Sequence, residues 1–148
     1  MVFVAATDET VTRAWIAQLA GFTAEMVGEQ LPRDTTGWEA SGFVTVTVAG
    51  GSTVPEFRLE SPVMMVQGWA VTPGLDRPPW EKARNLVAAI QGGTYQRGGW
   101  FLPLPQCGEN ATVKTAYAVS KPRRTYGDFG DYAGYTLDLV LNWTPVAK

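Results

Sequence analysis

From Phe43 to Val48 β-branched residues alternate without a break, and from Val63 to Val71 the chain is almost continuously apolar. The first pattern is that of a strand. The second suits a strand covered on both faces, so residues 63–71 are the expected middle of a sheet. At Trp80 the period changes: Trp80, Ala83, Val87 and Ile90 fall on one side of a helix, while Glu81, Lys82, Arg84, Asn85 and Gln91 fall largely on the other. Such a stripe requires a sheet to lie on. Two strands and a covering helix form a nucleus that the rest of the chain can extend.

The flanking segments carry weaker signals. Thr7 and Asp8 are helix caps, Glu9 adds negative charge to a first turn, and Val11, Ala14, Trp15 and Leu19 recur at helical spacing until Gly21, which predicts a first helix over about 8–20. Residues 22–31 fit a short strand or a second helical turn, ended by Pro32, and 33–42 read as a loop. The strand at 43–48 leads into a connection over 49–55, then Phe57 and Leu59 alternate with charged neighbours up to Pro62, which should interrupt pairing or mark an edge or bulge. Pro73 to Pro79 is a rigid turn in which Asp76 is a possible cap for the helix at Trp80, and Gly92-Gly93 stops that helix. Residues 92–111 read as loop with one short extended piece at Trp100-Phe-Leu.

Two further strands close the pattern. Over 112–120, Val113, Thr115, Tyr117 and Val119 share a face; over 135–143, Tyr135, Leu137, Leu139, Leu141 and Trp143 face one way and Thr136, Asp138 and Asn142 the other. Between them, Lys121 to Asp131 is a charged loop too long for a tight hairpin. The order predicts a single α+β domain over 1–148, with a mixed or antiparallel sheet of four to six strands and two helices packed on one face.

Composition narrows the function. Twelve Lys and Arg against 14 Asp and Glu leave a net charge of -2, so general attraction to nucleic acid or anionic membrane is not expected. There is no His, which removes the commonest neutral-pH base and metal ligand, and the single Cys107 excludes an intrachain disulfide. Cys107 has no basic neighbour closer than Lys114 and reads as an ordinary thiol. The glycine pairs at 92–93 and 98–99 lack phosphate-loop spacing, and Asp128-Phe-Gly130 is a chance match to a kinase metal motif. Asp128, Asp131 and Asp138 as ligands for a hard cation are outweighed by the reading of turn-forming residues in a solvated loop. Met1 to Ala6 is apolar but too short for a signal peptide, and no run of about 18 uncharged apolar residues occurs, so a soluble cytoplasmic protein is expected. On the same ground the glycosylation patterns at Asn110 and Asn142 read as accidental. No enzyme activity and no cofactor are expected.

What remains points to contact. Lys121, Arg123 and Arg124 are the one concentrated basic site, and Asp128 and Asp131 stand beside them in the same loop, a mixture that suits a protein subunit better than solvent or nucleic acid. Six Trp, five Tyr and six Phe are many for this length, and Trp38, Trp100, Phe101, Tyr126, Phe129 and Tyr132 fall in expected loops. Loop aromatics either cap sheet ends or supply interface anchors.

The layout resembles the tail terminator proteins of long-tailed bacteriophages, especially those of actinobacteria. The likeness rests on the helix with Arg13-Ala-Trp-Ile16, Pro32, the strand F-V-T-V-T-V followed by Ala49-Gly-Gly51, the second apolar strand, the helix W-E-K-A-R-N-L-V-A-A-I, and the closing strand Y-T-L-D-L-V-L-N-W. The resemblance implies a structural virion protein that forms a hexameric ring on the tail tube, ends tube growth and meets the head-side connector or stopper. Its partners would be itself, the tube protein and that connector, with genomic DNA passing through the pore unread and no membrane involved. The implied location is the virion neck, with host cytoplasm during assembly. Contact segments expected on the residues are Lys121, Arg123, Arg124, Tyr126, Asp128, Phe129 and Asp131, together with the connection carrying Glu56 and Arg58; the arginines would meet a neighbour's Glu56 or Glu60. Another neck component, or a small-ligand or nucleic-acid module using Trp69 and Trp143, stays open beside it.

Overall fold

The computed structural model describes residues 2–72, 78–96, 98–125 and 130–148. Its elements run α1 (Asp8–Ala17), a 3-10 turn (Ala24–Met26), β1 (Val27–Gly28), β2 (Phe43–Val54), β3 (Leu59–Val71), α2 (Trp80–Gly93), β4 (Trp100–Leu102), β5 (Glu109–Ala118), β6 (Arg123–Arg124) and β7 (Tyr132–Ala147). The architecture is α+β, built on one mixed sheet of order β1-β2-β3-β7-β5-β4, with β6 pairing β7 off that path. β1 runs parallel to β2, and the other pairings are antiparallel. The sheet has seven strands rather than four to six. Two of them, β1 and β6, are two residues long, and two residues carry no periodic signal.

Local chemistry explains the helix ends. Thr7 caps α1 by accepting from the Thr10 N–H at 3.2 Å. The helix stops at Ala17, short of residue 20: Gln18 N–H still reaches Ala14 O at 3.3 Å, but beyond it Leu19 N–H turns back three residues to Ile16 O at 3.0 Å and Phe22 N–H to Leu19 O at 3.1 Å. Residues 24–28 contain both elements weighed for that segment, a helical turn and then a strand. The cap of α2 is Pro79, with no side-chain bond; Asp76 lies outside the described residues.

β2 does not end at Val48. A bulge at Ala49 shifts the β2–β3 register between Val48 and Gly50, and pairing then continues to Val54↔Leu59. Gly51 makes this possible: its φ is +119°, and a Cβ there would stand 2.4 Å from Ser61 O. β3 is central, between β2 and β7, and its β7 ladder runs Glu60↔Trp143 and then Val63↔Val140, on either side of Pro62.

β5 departs from the expected register. A bulge between Val113 and Thr115 turns the strand over, so Val113 and Ala116 are buried while Tyr117 and Val119 are half exposed. In β7 the expected face holds: Leu137, Leu139, Leu141 and Trp143 are buried.

One buried cluster joins Val11, Trp15 and Ile16 of α1 and Val87 and Ile90 of α2 to sheet residues that include Val46, Val66, Leu137 and Leu139. α2 approaches β3 closely because Gly68 has no side chain; a Cβ there would lie 2.8 Å from Val87 Cγ2. A smaller cluster packs Trp38, Phe43, Trp69 and Val71, with Tyr132 against it.

Candidate interface surfaces

The charged stretch beginning at Lys121 is not a free loop. Arg123 and Arg124 pair with Thr136 and Tyr135 of β7, and Thr125 N–H donates to Gly134 O at 2.9 Å, so the β5–β7 hairpin continues through β6 past Ser120. The strand alternation was broken by Pro122 and by the two arginines, which hid this extension. Ser120 Oγ bridges the gap by accepting from the Asp138 N–H at 3.0 Å.

Both arginines have partners within their own chain. Arg123 forms an ion pair with Asp138 Oδ2 at 3.2 Å and donates to Ser120 Oγ at 3.1 Å. Arg124 places its guanidinium 4.4 Å from the centroid of the Trp80 ring, and Trp80 in turn meets Tyr135 edge-on at 6.3 Å. The hairpin is thereby fastened to the start of α2. Lys121 and Asp131 are exposed. Tyr126, Asp128 and Phe129 lie outside the described residues. The cation reading finds Asp138 already engaged by Arg123, and the described residues hold no group of three or more potential metal ligands.

The second expected contact segment is the β2–β3 turn. Glu56 is exposed and Phe57 is 77% exposed. Arg58, at the left-handed φ of 48°, turns back instead of outward: its Nη1 and Nη2 donate to Glu109 Oε2 and Oε1 at 3.0 and 2.9 Å. Glu109 is buried and also accepts from the Ala6 N–H at 3.0 Å. The Arg58 hydrogen bonds hold the Glu109 carboxyl below its ordinary value of 4.5, against the upward push of burial. Sequence reasoning missed this clasp, since 51 residues separate its partners. Its only sequence signal was one carboxylate in an otherwise uncharged stretch from Gly98 to Val113.

Close by, Asp8 accepts from Trp143 Nε1 at 2.9 Å. Burial raises the Asp8 pKa, the indole hydrogen bond opposes it, and Glu60 and Glu9 add to the rise. Trp69 Nε1 donates to Thr45 Oγ1 at 3.1 Å. The two tryptophans considered for a ligand face therefore serve the packing. Among the described residues, the aromatics expected in loops divide the same way: Trp38 and Trp100 are buried, Tyr132 is half-buried, and Phe101 is exposed, at 60%.

Two grooves line the helices. One of about 790 Å³ runs beside α2 past Phe22, Trp80 and Leu86; another of about 430 Å³ lies between α1 and β4, lined by Ala14, Ala17, Phe101 and Leu104 among others. No described helix is long and apolar enough to cross a membrane. No protein-family model matches the chain, and no curated protein matches it.

Proposed function

We propose that this chain is a tail terminator subunit of a long-tailed bacteriophage, working by assembly rather than catalysis. Copies would close into a ring, with six as the expected number, seated on the end of the tail tube. That ring would stop tube growth and offer its other side to the head connector or stopper, with DNA passing through unread. The observation that supports this reading is the element order, helix, long hairpin, helix, closing hairpin, the layout on which the resemblance rests.

Two features support it. The shared cluster of α1 and α2 residues favours both helices lying on one face of the sheet, which leaves the face of Gln67, Asp138 and Tyr117 for neighbours or for the pore. The β2–β3 turn presents Phe57 to solvent, a large apolar side chain where a partner could cover it. Since Arg123, Arg124 and Arg58 have internal partners, their proposed role shifts from reaching a neighbour to holding both turns in shape, with Lys121, Asp131, Glu56 and Phe57 left to make contact. A small-ligand module is the second reading, favoured by the groove beside α2.

Native mass and negative-stain imaging of the purified chain, alone and mixed with a tail-tube protein, test the proposal. Rings at six times the 16.1 kDa subunit mass are expected. A chain that stays monomeric in both settings and leaves tube length unchanged refutes it.

A further inference from the structure

The sheet has two open ends. β2 is covered on its outer side only where β1 pairs with Val44 and Thr45, and among the described residues no other backbone hydrogen bond is made along that edge up to Val54. Every residue from Thr47 to Pro55 is exposed and none is charged. At the other end, β4 pairs only with β5 among the described strands. Its surroundings, Gly98 to Gln106, are also without charge where described, and Phe101 is exposed. Exposed strand edges in soluble proteins are normally blunted by lysine, proline or a covering element, because free N–H and C=O groups pair with whatever strand arrives. The bulge at Ala49 and the prolines after β4 limit such pairing in length, but no charge repels it.

The two ends match each other. Through the antiparallel steps β2–β3–β7–β5–β4, strands β2, β7 and β4 run in the same direction. A copy rotated about a ring axis would therefore bring its β4 alongside β2 in parallel, the orientation that β1 already has there. The levels also agree. One row of the sheet reads Thr53↔Glu60, Glu60↔Trp143, Trp143↔Val113 and Val113↔Trp100. The next residues along the two parallel end strands, Val54 and Phe101, thus stand level at opposite ends, 38% and 60% exposed.

We infer that copies of this chain join edge to edge, β4 of one adding in parallel to the outer edge of β2 in the next, so that the sheets run on through the assembly. The join is heterologous, the kind that closes into a ring when the rotation fits. It buries Val54 and Phe101 against the neighbour and gives partners to the outward backbone groups at residues 53–55, the level that the three residues of β4 reach. This inference rests on the ring reading and names the surface that would build it.

Amide exchange measured across a dilution series, with mass recorded in parallel, tests it. In the oligomer, the outward-facing amides among Thr53, Val54 and 100–102 should exchange about tenfold or more slowly than in the monomer. An oligomer without that protection overturns the edge join and leaves the ring standing. A chain that remains monomeric at every concentration overturns the join, and self-assembly into a ring falls with it. As a second readout, Val54→Cys with Phe101→Cys, in a Cys107→Ser background, should give an oxidised ladder of multimers, since opposed residues on paired strands are within disulfide reach. Each single-cysteine variant should give none. Dimers from Val54→Cys alone, or no ladder while the oligomer persists, would show a different contact.

Discussion

Replacing Arg58 by Met tests whether the clasp on Glu109 stabilises the fold. The Glu109 side chain is 6% exposed and that of Arg58 54%, so the carboxylate loses two charge-assisted bonds and keeps only the Ala6 N–H. Hydrogen bonds to charged groups contribute about 1.5–3 kcal/mol, and the half-exposed guanidinium argues for the lower part of that range, about 2 kcal/mol. For a chain of this length that lowers the melting temperature by roughly 4–8 °C at pH 7. The pH dependence has a definite sign. Glu109 has a depressed folded pKa, so its contribution is complete above the ordinary 4.5 and is lost as pH falls through the folded value. The gap between wild type and Arg58→Met should therefore close in acid. Asp8, whose raised pKa acts in the opposite sense, is common to both proteins and cancels. Arg58→Gly separates strain from charge: at φ 48° a residue with a Cβ is disfavoured by roughly 1–2 kcal/mol relative to Gly, so the Gly variant should be more stable than the Met variant by about 1 kcal/mol. Melting curves followed by circular dichroism from pH 7 to pH 3 read all three. A Met variant that melts with wild type at pH 7, or a gap that persists undiminished at pH 3, refutes the reasoning.

Other perturbations follow from the packing. Gly51→Ala forces a Cβ to 2.4 Å from Ser61 O at a φ of +119°, and should cost about 2 kcal/mol or more in denaturant titration, with the β2–β3 turn becoming protease-sensitive. Leu139→Ala, at a fully buried position of β7, should cost about 2–5 kcal/mol in the same titration. Arg124→Met removes the cation from the Trp80 ring and should cost about 0.5–1 kcal/mol, with a change in tryptophan emission at pH 7; emission and stability both equal to wild type would discount that contact.

The element types were written in the chain because each depends on neighbours within a few residues. Thr7 caps the helix that Val11 and Trp15 continue, the stripe Ala83, Val87, Ile90 faces the core, and the alternation from Leu137 to Trp143 lands on the buried side. Centrality of the 63–71 run followed from its almost continuous hydrophobicity. Tertiary structure decided what depends on distant partners. The bulges at Ala49 and near Lys114 reverse which side chains face out, and only a paired strand can define an extra residue. Likewise β6 is a strand only because β7 lies beside it. The contact residues were the least legible: Arg58, Arg123 and Arg124 look free in sequence, yet Glu109, Asp138 and Trp80 are brought to them by the fold. Local pattern fixes which side of an element is apolar, whereas a charge finds its partner through the whole path of the chain.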